Sequence, residues 1–273
     1  MLKLLNRIRT ARYALAGLLA LCISSAALAD SPVLDRVIAS GTLKVAMSGD
    51  QPPFNAVSRD KSVIGFDVDL AKGIANAMKV ELEIVQMPFG DLLSAVKKGK
   101  ADMVMSGMGI TPSRTQLVTF VGPYMMSGKS MVLGAAAQEK IQTGTDLNDA
   151  EIILVALKNS TSESFVQRQL PNATLKTIAN YEDGIQMVLA GNADAMVADV
   201  PACKLSILRN PNAGLAMLEQ QLSVEPLGIA IASNDAQFEN LVRNYLSTLE
   251  KVGMTTKLRQ KWFENNSWIA ALP

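Results

Sequence analysis

Apolar positions along the chain come in short runs broken by glycine, proline and polar clusters, and the period of the runs alternates between two and about 3.6 residues. Leu43-Lys44-Val45-Ala46-Met47 reads as a short strand, entered from Gly41 and left through Ser48-Gly49-Asp50. Pro52-Pro53-Phe54 follows, a sequence that cannot continue regular structure. Beyond Gly65-Phe66-Asp67-Val68-Asp69, the apolar residues Ala71, Ile74, Ala75 and Met78 keep i, i+3, i+4, i+7 spacing and predict a helix. Asp67 and Asp69 fall in its first turn, where the helix dipole favours carboxylates. Residues 81–87 alternate as the next strand, so strand, helix and strand predict a βαβ unit in a largely parallel sheet.

The pattern then repeats. Residues 92–107 (LLSAVKKGKADMVMSG) and 184–199 (GIQMVLAGNADAMVAD) each read as an amphipathic helix stopped at a glycine, Gly99 or Gly191. An Ala-Asp pair follows, Ala101-Asp102 or Ala193-Asp194, and then a short apolar strand. Aligned on Asp102 and Asp194, the strand exits place Asp199 where the first copy has Gly107. Residues 150–157 (AEIILVAL) echo the first strand and lead through Lys158-Asn159-Ser160-Thr161 into a helix containing Phe165, Val166 and Gln169. Two related α/β lobes are therefore expected. Crossovers between them are predicted at residues 129–133 (KSMVL) and 227–231 (LGIAI), with helices over 238–252 and 255–263 returning to the first lobe.

The N-terminal segment follows a different logic. Lys3, Arg7, Arg9 and Arg12 precede an apolar run over residues 14–23, and Ser24-Ser25-Ala26-Ala27-Leu28-Ala29 ends in an A-x-A pattern before Asp30. This is the layout of a cleavable signal peptide over 1–29, and it predicts a periplasmic location. The apolar run is half the length of a membrane-spanning helix. Cys22 follows the bulky Leu21, which argues against lipidation. The remainder then keeps one cysteine, Cys203, so no intramolecular disulfide is expected.

Composition narrows the chemistry. With no His in 273 residues and 2 Cys, imidazole catalysis, imidazole metal ligation and a four-cysteine zinc site are all excluded; no metal or cofactor is expected. Without the four N-terminal bases the chain carries 22 Lys and Arg against 25 Asp and Glu, which leaves no electrostatic footprint for nucleic acid.

Ligands of open parallel sheets bind outside the carboxyl ends of the strands. Those exits collect residues 48–54, which include Ser48, Gln51 and Phe54, then 106–114, 158–161 and Asp199. Thr111-Pro112-Ser113-Arg114 offers an N-cap followed by proline at the first helical position, and Ser160-Thr161-Ser162-Glu163 fits a capping box. Arg114 at one helix start can hold a carboxylate bidentately. Asp199 ends an apolar strand of the other lobe, as a ligand anchor or as a cap for the helix after Pro201. One fixed cation and one fixed anion from facing lobes match a zwitterion such as a free α-amino acid.

Gly41-Thr42-Leu43-Lys44-Val45, Pro52-Pro53-Phe54, Gly65-Phe66-Asp67-Val68-Asp69-Leu70-Ala71, Gly107-Met108-Gly109-Ile110-Thr111-Pro112-Ser113-Arg114 and Phe120-Val121-Gly122-Pro123-Tyr124 resemble, in order and spacing, the family 3 extracellular solute-binding proteins. These are the amino-acid receptors of ABC importers, and Asp194-Ala195-Met196-Val197-Ala198-Asp199 is similar to their second-lobe motif. The resemblance implies a two-lobed periplasmic-binding-protein fold of type II, each lobe a mixed, mainly parallel sheet flanked by helices and joined by two hinge strands. Lobe 1 would span 30–128 plus 228–273, and lobe 2 would span 129–227. It also implies that Arg114 holds the ligand carboxylate, helped by donors near Gly107, Gly109, Ser160 and Thr161, while Asp199 takes the ammonium and Phe54 and Phe89 line the side-chain pocket. A monomer that hands its solute to a membrane permease follows from the same likeness.

Two departures change the expected ligand. Gln51 stands where the family often has an aromatic residue, and Gly109 where it often has a hydroxyl, so a polar ligand side chain or an unusually roomy pocket is expected. The rival reading is a secreted enzyme on the same scaffold, such as a cyclohexadienyl dehydratase. The loop Lys158-Asn159-Ser160-Thr161 offers no acid for that reaction.

Overall fold

The computed structural model describes residues 31–218 and 220–273; the signal-peptide reading over 1–29, with Cys22, falls outside the described residues. The chain starts with α1 (Pro32–Ser40), β1 (Thr42–Met47), the short strands β2 (Asp50–Gln51), β3 (Asn55–Val57) and β4 (Val63–Ile64), then α2 (Phe66–Met78) and β5 (Glu81–Gln86). It continues through α3 (Leu92–Lys97), β6 (Met103–Val104), the one-turn α4 (Pro112–Thr115), β7 (Thr119–Ser127), β8 (Lys129–Leu133) and α5 (Ala135–Gln142). Next come β9 (Ile153–Leu157), α6 (Thr161–Gln169), β10 (Thr174–Ile178), α7 (Tyr181–Leu189), β11 (Ala195–Asp199), α8 (Val200–Arg209) and β12 (Ala216–Met217). Then come β13 (Glu225–Ile231), α9 (Ala236–Lys251) and α10 (Met254–Arg259), followed by short helical turns at Gln260–Glu264 and Ser267–Ala271.

Two five-stranded sheets result, ordered β5-β1-β6-β13-β7 and β10-β9-β11-β8-β12. In each, three parallel strands are followed by two that pair antiparallel. The internal repeat in the sequence is thus a repeat of topology, and its Ala-Asp pair has a physical purpose. Asp102 Oδ2 accepts from Lys44 N at 2.8 Å, while Asp102 N donates to Lys44 O at 2.8 Å. Asp194 does the same with Ile153, both distances being 2.8 Å. Each aspartate therefore staples the entry of the neighbouring parallel strand, β1 or β9, and each pairs with a base, Arg36 or Lys140. The helices before them stop at Gly99 and Gly191, whose φ of 68° and 71° a side chain would resist.

Parallel strands covered on both faces read as continuous apolar runs, as 153–157 and 195–198 do. One core cluster joins Leu43, Val45 and Met47 of β1 to Phe66 and Ile74 of α2. The C-terminal helix α9 buries Phe238, Val242 and Leu246 at i, i+4, i+8 in the same cluster, against the first sheet. Burying each of those side chains contributes about 1.5–3 kcal/mol. A second cluster runs from Ala46, Val104 and Ala230 of the first sheet to Val155, Leu157 and Met196 of the second, and so ties the lobes together.

The segments predicted as crossovers are interior strands beside the crossings. The backbone passes from the first sheet to the second at Gly128, between β7 and β8, and returns through 222–225 into β13. These two passages lie side by side, with Leu222 N donating to Lys129 O at 2.8 Å and Lys129 N to Ser223 Oγ at 3.3 Å. β13 pairs with β7 from Glu225 onward, so 225–227, grouped with lobe 2 in the sequence, sit on a strand of the first sheet.

Candidate functional site

Thr111 caps α4 as expected: its hydroxyl accepts from Arg114 N at 3.3 Å, with Pro112 at the first helical position. The cap aims the Arg114 side chain into the space between the lobes, where it is 9% exposed. Its Nη1 donates to Gly109 O of lobe 1 at 2.8 Å, and its Nη2 to Asn159 O of lobe 2 at 3.1 Å. The guanidinium carbon lies 5.6 Å from the centre of the Phe89 ring, a cation–π contact. Among the described residues Arg114 forms no ion pair. Burial pulls its pKa down, opposed by the charges of Glu225 and Asp199.

Ser160 caps α6, accepting from Glu163 N at 3.1 Å; Glu163 reaches back to Asn159 N at 2.5 Å, one residue earlier than an ordinary capping box. Thr161, next in line, donates its hydroxyl to Glu225 Oε2 at 2.7 Å. Glu225 Oε1 accepts from Ser223 Oγ at 3.1 Å. Desolvation pushes the Glu225 carboxyl up, but Lys129 and the Thr161 and Ser223 hydroxyls outweigh it and hold the group below its usual range.

Asp199 closes β11 and is 5% exposed. It makes no capping bond to α8, which removes the cap reading. Its Oδ1 instead accepts from Lys129 Nζ at 2.7 Å, and the same ammonium lies 3.2 Å from Glu225 Oε2. Lys129 and Glu225 are not singled out by the sequence, and Asp50 only as part of the 48–54 strand exit. The available signal was a lone charge opening an otherwise apolar run, Lys129 before Ser130-Met131-Val132-Leu133; what makes it meet Asp199 is the antiparallel register of β8 against β11.

The other predicted residues divide into two groups. Phe89, Ser160 and Thr161 join Arg114 along a cavity of about 790 Å³ that takes its walls from both lobes. Gly109 lies beside it: a Cβ there would sit 3.4 Å from both Arg114 Nη1 and Glu225 Oε2. Phe54, Ser48 and Gly107 serve lobe 1 itself. Phe54 packs edge-on against Phe263 at 5.3 Å in the core. The Ser48 hydroxyl is 3.1 Å from that of Ser106 and 3.3 Å from Asn55 Oδ1, within a buried network. Gly107 N donates to Asp67 Oδ2 at 2.8 Å. Asp67 is expected in the first turn of α2 as a dipole partner; it is fully buried there, and burial pushes its pKa up to about 7.

Gln51 is 3% exposed, and its Nε2 is buried without a partner. Its neighbour Asp50 lines a second interlobe cavity of about 510 Å³ with Pro52, Tyr181 and Ala202. Asp50 Oδ1 also lacks a partner, and burial raises the pKa of the carboxyl. Cys203 is buried, and burial pushes its thiol up to about 12, which suits the small apolar residue expected from the sequence. Among the described residues no three His, Cys, Asp or Glu side chains cluster as a metal site, and no helix is long and apolar enough to cross a membrane.

Comparison with known proteins agrees with this fold. The family described as bacterial extracellular solute-binding proteins, family 3, matches residues 43–265. The ABC transporter arginine-binding protein 1 of Escherichia coli K12 is 26% identical over 229 residues, covering 82% of this chain and 92% of that protein. The cyclohexadienyl dehydratase of Pseudomonas aeruginosa is 25% identical over 246 residues, covering 90% and 91%. Among solved structures, an ancestral amino acid-binding protein described as a precursor of cyclohexadienyl dehydratase superposes with a TM-score of 0.78 at 35% identity, covering 84% of this chain and 99% of that one. A putative binding component of an ABC transporter from Wolinella succinogenes, complexed with lysine, gives 0.78 at 31% identity with the same coverage. Two mixed sheets of matching order, a cleft between them and a family match over most of its length together make this chain a member of the bacterial extracellular solute-binding proteins, family 3.

Proposed function

We propose that the protein captures a free amino acid between its lobes in the periplasm and, as a monomer, delivers it to the permease of an ABC importer. The observation that carries this reading is Arg114. A guanidinium held by two carbonyls, stacked on Phe89 and buried without a carboxylate is costly unless an anion arrives. The remaining N–H groups of its fork suit the ligand's α-carboxylate, with Thr161 and Ser160 at the start of α6 beside it. Asp199 is the acceptor for the α-ammonium. Asp50 Oδ1 and Gln51 Nε2, an acceptor and a donor left unpaired at the neighbouring strand exit, suit a polar side chain. A relative named for arginine binding and a neighbouring structure complexed with lysine support that class. Phe89 supplies the apolar wall.

Thermal melting against the twenty L-amino acids tests the reading. A polar amino acid at about 100 times its Kd adds about 2.7 kcal/mol of stability. Arg114→Ala keeps the melt and loses the shift. A panel that moves nothing removes the function, and a variant that binds like the parent removes the role of Arg114.

One observation favours a second reading, a dehydratase. Asp50 is a buried acid with a raised pKa lining an interlobe cavity, although the 158–161 loop offers none. Aromatic product from prephenate or arogenate, lost in Asp50→Asn, would establish it.

A further inference from the structure

Lys129 and Glu225 open the two strands that flank the crossings between the lobes, and their charged groups meet at 3.2 Å. Lys129 stands directly opposite Asp199 in the antiparallel ladder, so their contact is a cross-strand pair fixed by register. Its side chain is 4% exposed and its ammonium already occupies the carboxylate that the proposed function reserves for the solute. An arriving α-ammonium must take Asp199 from a tethered competitor. The Lys129 ammonium is buried, and a buried ammonium without a carboxylate is strongly unfavourable. Glu225 is the one other acid within ion-pair distance of Lys129 among the described residues, and Thr161 and Ser223 hold it there by hydrogen bonds to its two oxygens.

We infer that Lys129 and Glu225 form an exchange pair that decides whether the cleft accepts an α-ammonium: as the solute arrives, Asp199 turns to it and Lys129 keeps Glu225. This rests on the amino-acid reading above and adds two specificity-determining residues to it. With Glu225 in place, two carboxylates face two ammonium groups once the solute is bound. Without it, one carboxylate faces two ammonium groups, and a solute that lacks the α-ammonium becomes the better fit. The pair thus sets the charge that the cleft demands.

Calorimetric titration of the parent, Glu225→Gln and the double variant Lys129→Met/Glu225→Gln tests the exchange. The probes are the L-amino acid that shifts the parent's melt most and the same molecule with hydrogen in place of its α-ammonium. Glu225→Gln is near-isosteric and keeps the Lys129–Asp199 pair, so its fold is preserved and its melt verifies this. It should lose about tenfold or more in affinity for the amino acid, about 1.4 kcal/mol, while the deaminated probe binds as before or tighter. The double variant, freed of the competitor, should regain most of the loss. Glu225→Gln that binds the amino acid like the parent, or a double variant no better than the single, overturns the exchange. A parent that binds no amino acid overturns the proposed function and this inference together, whereas a binding parent with an indifferent Glu225→Gln overturns this inference alone.

Discussion

Asp67 shows how far a residue's setting can depart from its local sequence. The first turn of a helix ordinarily lowers a carboxylate's pKa. Here the side chain is turned inward under the Gly107 loop, where desolvation dominates and one oxygen finds no partner. Its pKa rises from 3.8 to about 7, so between those values the folded chain binds more protons than the unfolded one. The contribution of Asp67 to stability is therefore fully present below 3.8, falls as pH rises, and is lost above about 7. Asp67→Asn should flatten the decline in melting temperature between about pH 4 and 8, as read by scanning calorimetry; an unchanged slope would assign the decline to other groups. Arg114 is the opposite case, since it stands in the one-turn helix that Thr111-Pro112 opens, and its neighbours complete the setting.

The repeated element, helix–glycine–Ala-Asp–strand, was read from spacing alone, and its purpose became visible only in three dimensions. Asp194 joins the backbone of Ile153 to the ammonium of Lys140, and Asp102 does the same with Lys44 N and Arg36. The two contacts of Asp194 differ in worth. Lys140 is 38% exposed, so Lys140→Met should cost under about 1 kcal/mol. Asp194→Ala leaves a part-buried backbone N–H unsatisfied and should cost about 1–3 kcal/mol. Urea unfolding of both variants checks the ordering, and equal losses would show that the ion pair, rather than the staple, holds the strand. Strands and helices appeared within a few residues of their predicted limits because periodicity and caps are local properties. The crossings were displaced from KSMVL and LGIAI because an apolar run marks burial without saying in which sheet.

At the scale of the molecule, contacts between the lobes gather at the candidate site. Arg114 of lobe 1 reaches Asn159 O at 3.1 Å, and Thr161 of lobe 2 reaches Glu225 at 2.7 Å. A solute that favours this closed arrangement shifts the population of lobe positions toward it. Amide hydrogen exchange with saturating amino acid should slow at 107–110 and 159–161, the two loops that face each other, while the stapled strand entries at 44 and 153 stay as they were. Equal slowing throughout would indicate general stabilisation without closure at the cleft.

What the sequence determined by itself was the material of the site and its architecture: two related α/β lobes, capped helix starts at Thr111 and Ser160, and a cation and an anion at opposing strand exits. Each is encoded within a few residues, as a period, a cap or a turn. Only the tertiary structure decided who meets whom. The pairing of β8 against β11 sets Lys129 on Asp199, and β13, arriving some 25 residues later in the chain, brings Glu225 to both Lys129 and Thr161. Register and crossing point are properties of the packed sheets, and the charge that a ligand meets depends on them.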